Sequence, residues 1–262
     1  MKKINSIDFT SNGNWICPAG VTKIIVYGMG GGAGGYGGGA GDTVTGGKSG
    51  PAGLSTAFLP MLLTTVPNTT YAVTIGAGGT GGTGSVSGRD AVIPASGNGG
   101  NTSLGALVTF IGANGTNSGG QFASTFGVSD RYSNSESDPR PTDVQPNQTG
   151  FGYSDGTDTT STTTSYSSWW FEQSAFGTAG TVTGDGGLGI AGNNSSFGAG
   201  GTGGNAGIDG ATETGGNGGN ASANTGGGGG SGGGSAKSPG SNNAGGNGGN
   251  GGSGRLRIVW FE

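Results

Sequence analysis

Short apolar segments of strand length alternate along this chain with tracts almost free of side chains. Ile4 to Phe9 sets Ile7 and Phe9 against polar neighbours, the period-two pattern of a half-buried strand. Asn12-Gly13 predicts a hairpin turn into Trp15-Ile16-Cys17, and Pro18-Ala19-Gly20 makes a second break. Val21 to Tyr27 is a β-branched run, Leu54 to Leu63 a broken apolar stretch, Tyr71-Val73-Ile75 alternates, and Leu104 to Ile111 is apolar on both faces. At the C-terminus Leu256, Ile258 and Trp260 alternate with Arg255 and Arg257. Both chain ends therefore read as strands able to pair in one sheet.

The tracts between these strands have a period of their own. Gly28, Gly31, Gly34 and Gly37 fall three apart, as do Gly32, Gly35, Gly38 and Gly41, and Gly76, Gly79 and Gly82. The spacing runs from Gly198 through Gly201, Gly204 and Gly207 to Gly210, and Gly245 to Ser253 is a Gly-Gly-X repeat with Asn247, Asn250 and Ser253 at X. Three residues per turn is the polyproline II repeat, rising about 3.1 Å per residue, so nine residues make a rod of roughly 28 Å. With two of three edges bare, such rods can meet backbone to backbone, N–H and Cα–H groups facing carbonyls. Collagen would need an uninterrupted repeat and abundant proline, but the chain has 9 prolines, mostly outside the tracts.

Composition sharpens this picture. Glycine fills 69 of 262 positions, apolar residues 29% and charged residues 9%, so no conventional core of this chain's size can form. Such a composition also suits a flexible linker. Ordering glycine costs more than ordering any other residue, about 1–2 kcal/mol or more each. An ordered bundle must therefore offset that cost by hydrogen bonds between tracts, and the constancy of the threefold phase predicts that it does. A net charge of −4, with 10 Lys and Arg, gives no basic footprint for nucleic acid. Histidine is absent and Cys17 is the one cysteine, which excludes His-based zinc sites, Cys–His catalysis and intrachain disulfides. Cys17 is expected to be a small buried apolar residue. Met1-Lys2-Lys3 is not followed by the apolar run of a signal peptide, and no stretch reaches membrane-spanning length.

From Gln121 to Phe176 glycine is sparse, and half of the chain's aromatic residues crowd in. Tyr132, Phe151, Tyr153, Tyr166, Trp169, Trp170 and Phe171 are the candidate receptor-binding residues, because Tyr and Trp give large contact area at low entropic cost. Some of them serve equally well as a mini-core for the insertion. Asp130, Glu136, Asp138, Asp143, Asp155, Asp158 and Glu172 accompany them, with no spacing that fixes a catalytic pair.

Two phosphate-binding motifs are approached. Gly30 to Gly35 satisfies G-x-G-x-x-G after a strand, but the following stretch is too glycine-rich for the helix a dinucleotide fold requires. Asp42 to Ser49 approaches a phosphate-binding loop with a carboxylate at the place of the first glycine, where it would repel phosphate.

The opening Phe9-Thr10-Ser11-Asn12-Gly13-Asn14-Trp15, then Pro18-Ala19-Gly20-Val21 and Ile24-Ile25-Val26-Tyr27-Gly28-Met29-Gly30-Gly31-Gly32, resemble the phage-type glycine-rich domain. Tyr71 to Gly79 and Gly254 to Val259 continue the likeness, which covers most of the chain except about 121–183. The arrangement is similar to the glycine-rich domain of the anaplastic lymphoma kinase family, a β-sandwich with inserted polyglycine helices, and architecturally to the tip adhesins of T-even-like tail fibres. The fibre-attachment region of those adhesins is not seen here.

The expected fold is mainly β, with little or no α-helix: a small antiparallel β-sandwich base, an inserted polyglycine bundle and a loop-rich insertion. The chain reads as one domain, 1–262. Within it, 1–120 holds the sandwich strands and first tracts, 121–183 the aromatic insertion, 184–254 further tracts and 255–262 the closing strand. The resemblance implies a non-enzymatic, cofactor-free phage receptor-binding protein at a tail-fibre tip, acting in the virion and outside the cell after lysis. Its expected partners are a bacterial surface glycan or outer-membrane protein and other virion proteins, as a homotrimer or a single copy capping a trimeric fibre. A structural fibre or decoration protein and an ice-binding protein are the alternatives.

Overall fold

The computed structural model describes residues 3–85, 96–115, 185–192, 194–195, 197–210, 213–237 and 243–262. Eight strands form in the apolar segments: β1 Ile4–Phe9, β2 Gly13–Ile16, β3 Lys23–Met29, β4 Leu59–Thr64, β5 Thr70–Thr74, β6 Thr102–Leu104, β7 Val108–Phe110 and β8 Arg255–Phe261. They make two antiparallel four-stranded sheets, ordered β1-β8-β3-β4 and β2-β5-β6-β7, and no helix occurs among the described residues. The fold is therefore mainly β.

The two ends of the chain pair as the alternation predicts, with Ile4 opposite Phe261 and Phe9 opposite Leu256. Two local readings fail. Asn12-Gly13 does not close a hairpin, because β1 and β2 lie in different sheets. The Asn12 side-chain oxygen instead accepts a hydrogen bond from Ile75 N at 2.7 Å, tying the crossing to the end of β5. The apolar run Leu104 to Ile111 is not one strand either. Gly105, at φ +50°, turns it so that β6 and β7 pair on themselves.

Between the sheets lies a core of Trp15, Cys17, Val21, Ile24, Val26, Val73, Leu104, Val108, Phe110, Leu256 and Ile258. Trp15 stacks on Tyr71 and meets Trp260, with ring centroids 5.8 Å apart in both cases. The Phe110 ring fills the place where a side chain on residue 28 would stand, which is why β3 carries a glycine there. Cys17 is fully buried, its thiol donating to Val21 O at 3.2 Å.

Beyond the sandwich the glycine tracts form ten extended rods among the described residues, numbered in chain order: rod 1 (30–41), rod 2 (46–56), rod 3 (76–85), rod 4 (96–101), rod 5 (111–115), rod 6 (185–192), rod 7 (199–207), rod 8 (213–222), rod 9 (226–236) and rod 10 (244–254). The threefold phase is visible in the hydrogen bonds. In rod 1, Gly31 and Gly34 donate to rod 4, Gly32, Gly35 and Gly38 to rod 10, and Ala33, Tyr36 and Gly39 to rod 2. The same rod accepts from rods 3, 5 and 9. Rod 9 likewise donates to rods 1, 6 and 8 and accepts from rods 2, 7 and 10.

Six neighbours around each of two adjoining rods define a hexagonal lattice in three layers. The layers are rods 5-2-6, rods 4-1-7 with rod 9 between rods 1 and 7, and rods 3-10-8. Glycine is required because neighbouring backbones stand where a Cβ would be: one on Gly35 would lie 2.8 Å from Gly229 O and closer still to the Gly230 carbonyl. At the junction with the sandwich, Thr56 Oγ1 donates to Gly30 O at 2.7 Å and Thr102 Oγ1 accepts from Gly76 N at 3.0 Å, so hydroxyls satisfy backbone groups where ladder gives way to lattice.

Candidate functional site

The molecule has two unlike ends. At the sandwich end, Asp8 of β1 binds both arginines of β8: Arg257 Nη2 at 2.8 Å from Oδ2 and Arg255 Nη2 at 3.1 Å from Oδ1. The Arg257 hydrogen bond, with help from Arg255, holds the Asp8 carboxyl below the usual aspartate value against the opposing effect of partial burial. The outer face of this sheet leaves Ile4, Leu62 and Phe261 exposed. Beside them Tyr27 stacks on Phe58 at 5.7 Å, Phe58 meets Phe197 edge to face at 4.5 Å, and Arg255 lies 5.0 Å over the Phe197 ring.

At the opposite end of rods 1, 2, 6, 7, 8 and 9 lies a tip of turns. Asp42 Oδ1 accepts from Val44 N at 2.8 Å and Thr45 N at 2.7 Å, while Gly41 N donates to Ser235 Oγ at 2.7 Å. Asp209 N donates to Asp185 Oδ1 at 2.9 Å, Lys237 pairs with Asp209 at 2.9 Å, and Asn243 Nδ2 donates to Glu213 Oε2 at 3.0 Å. The chain re-enters the lattice at this tip, at Asp185, after residues 116–184.

The candidate receptor-binding residues Tyr132, Phe151, Tyr153, Tyr166, Trp169, Trp170 and Phe171 lie outside the described residues, as do the carboxylates that accompany them. Both phosphate-motif likenesses dissolve. Gly30 to Gly35 is part of rod 1, enclosed by other rods, with no helix after it. In the second, the amides of Val44 and Thr45 are occupied by Asp42, so the chain's own carboxylate fills the place of an anion. Among the described residues no group of His, Cys, Asp and Glu could hold a metal ion.

A third surface escaped the sequence reading. The layer of rods 3, 10 and 8 has one face toward solvent, where no further rod follows among the described residues. Four asparagines cap it there: Asn250 Oδ1 accepts from Gly81 N, Asn247 Oδ1 from Gly84 N and Asn217 Oδ1 from Asn247 N, each at 2.8 Å, and Asn220 Oδ1 from Asn250 N at 2.7 Å. Side-chain oxygens thus satisfy N–H groups that would otherwise be offered to another strand or rod. The signal was the Gly-Gly-Asn repeat, present in rod 8 at Asn217 and Asn220 as well as in rod 10.

No curated protein matches this sequence. The model of the glycine-rich domain matches residues 8–261, from within β1 to within β8, and the chain therefore belongs to the glycine-rich domain family.

Proposed function

We propose that this protein is a phage receptor-binding adhesin of the tail-fibre tip, which binds without catalysis. The observation that carries the reading is the separation of the two ends. Both chain ends are tied into one sheet through β1 and β8, whereas the segment rich in Tyr and Trp rejoins the lattice at the far tip, at Asp185. A rod with few side chains, bonded to neighbouring rods along its length, is a stiff spacer, so recognition loops can vary in sequence without disturbing it. In this reading Ile4, Leu62 and Phe261 at the base face a fibre protein, and the 121–183 segment contacts a bacterial surface glycan or outer-membrane protein.

The test is adsorption blocking. Purified full-length protein should compete with phage for host cells, and a variant lacking 125–175 should stay folded and lose competition. A full-length protein that never competes would point to a structural fibre or decoration component. Loss of folding together with competition would count against the separation of scaffold and loops.

A further inference from the structure

We propose that the solvent face of rods 3, 10 and 8 is a second binding surface, for a neutral polysaccharide lying flat on it. The hydrogen bonds align Gly81, Asn250 and Asn220 in one row across the rods and Gly84, Asn247 and Asn217 in a second, with the exposed Thr80 and Thr83 next to them on rod 3. The rows are separated along the rods by one three-residue turn, about 9 Å. Each asparagine has its side-chain oxygen fixed by a backbone N–H, which also fixes where the amide nitrogen points. None of these four nitrogens donates a hydrogen bond among the described residues, and all four residues are exposed. The face is therefore a preorganised set of N–H donors with two exposed threonines beside it, and ordering it on binding costs little further side-chain entropy.

The ligand class follows from what the face offers and lacks. Apart from Glu213, which is held by Asn243 at the tip end of rod 8, residues 76–85, 213–222 and 244–254 carry no charged side chain, so phosphate, nucleic acid and acidic glycans find no counter-charge. They carry no aromatic residue or Arg, so the usual anchors of a protein interface are missing. Amide N–H groups and hydroxyls match the hydroxyl and ring oxygens of a neutral sugar. On an open face of parallel rods, affinity must come from several contacts along a polymer rather than from one residue of it. None of these residues belongs to the 121–183 segment.

The experiment is co-sedimentation of the full-length protein with insoluble neutral polysaccharides, namely cellulose, chitin and a neutral β-glucan. Wild type should sediment with at least one. Replacing Asn217, Asn220, Asn247 and Asn250 by Asp keeps every oxygen that caps the lattice and removes every outward N–H donor, so affinity should fall at least about tenfold. Should that variant fail to fold, Thr80→Val with Thr83→Val must weaken binding instead. A Trp169→Ala, Trp170→Ala variant should sediment like wild type, which keeps this surface separable from the loop reading. Absence of wild-type binding to all three polysaccharides, or unchanged binding by folded face variants, would overturn the proposal. Shaping of ice crystals without polysaccharide binding would overturn it too, by assigning the face to crystalline water.

Discussion

Gly35→Ala tests the lattice at its centre. Gly35 sits in rod 1 against rod 9, where the new methyl would stand 2.8 Å from Gly229 O and nearer still to the Gly230 carbonyl. Restoring an ordinary contact of 3.4 Å to Gly229 O alone requires the rods to part by about 0.6 Å. The bonds joining these rods, Gly232 N to Tyr36 O at 2.8 Å and Gly229 N to Ala33 O at 2.9 Å, would then reach about 3.4 Å or more, outside the range of a good N–H···O bond. Two buried pairs left open cost about 1–3 kcal/mol each, and overpacking adds a similar amount. The reduced freedom of the unfolded chain returns about 0.4–1 kcal/mol. The net loss is about 2–9 kcal/mol, a large part of the stability of an ordinary domain. The assay is denaturant unfolding beside Thr83→Ala, which alters an exposed position and should change stability by less than about 0.5 kcal/mol. Equal midpoints for the two variants, with equal slopes, would refute backbone contact between rods as the source of stability.

Three further outcomes are expected. Amides of rods 1 and 9, each ringed by six rods, should exchange with solvent as slowly as those of β3 and β8, and free-peptide rates there would remove the scaffold. Asp8 has a folded pKa below its unfolded one, so its pairing with Arg255 and Arg257 stabilises above about pH 4 and is lost as pH falls through the lowered value. Asp8→Asn should therefore be slightly less stable at neutral pH and show a flatter acid limb in thermal melts, with solvent screening keeping the effect small; an unchanged limb would rule the pairing out as its source. At Asn217-Gly218, Asn247-Gly248 and Asn250-Gly251, succinimide formation needs the glycine nitrogen, which is held in lattice bonds of 2.8, 2.7 and 2.9 Å. Peptide mapping after mildly alkaline incubation should find these pairs intact in folded protein and deamidated in denatured protein, and equal rates would contradict the fixed geometry.

The sequence by itself determined that rods exist and where strands interrupt them. A spacing of three between bare positions is a one-dimensional property, readable from Gly31, Gly34 and Gly37 without any knowledge of neighbours. The alternation in β1 and β8 likewise announced that the ends could pair. Only the tertiary structure decided which rod touches which, because one glycine edge is chemically identical to another and partners such as Gly32 and Gly252 stand far apart in the chain. For the same reason Asn12-Gly13 misled: a turn signal is local, whereas the assignment of β1 and β2 to different sheets depends on what β8 and β5 offer them. The asparagine face is the sharpest case. Gly-Gly-Asn says that one edge of a rod is not bare, but only the place of rods 3, 10 and 8 at the outside of the lattice of described residues turned those side chains into caps whose amide nitrogens are left exposed.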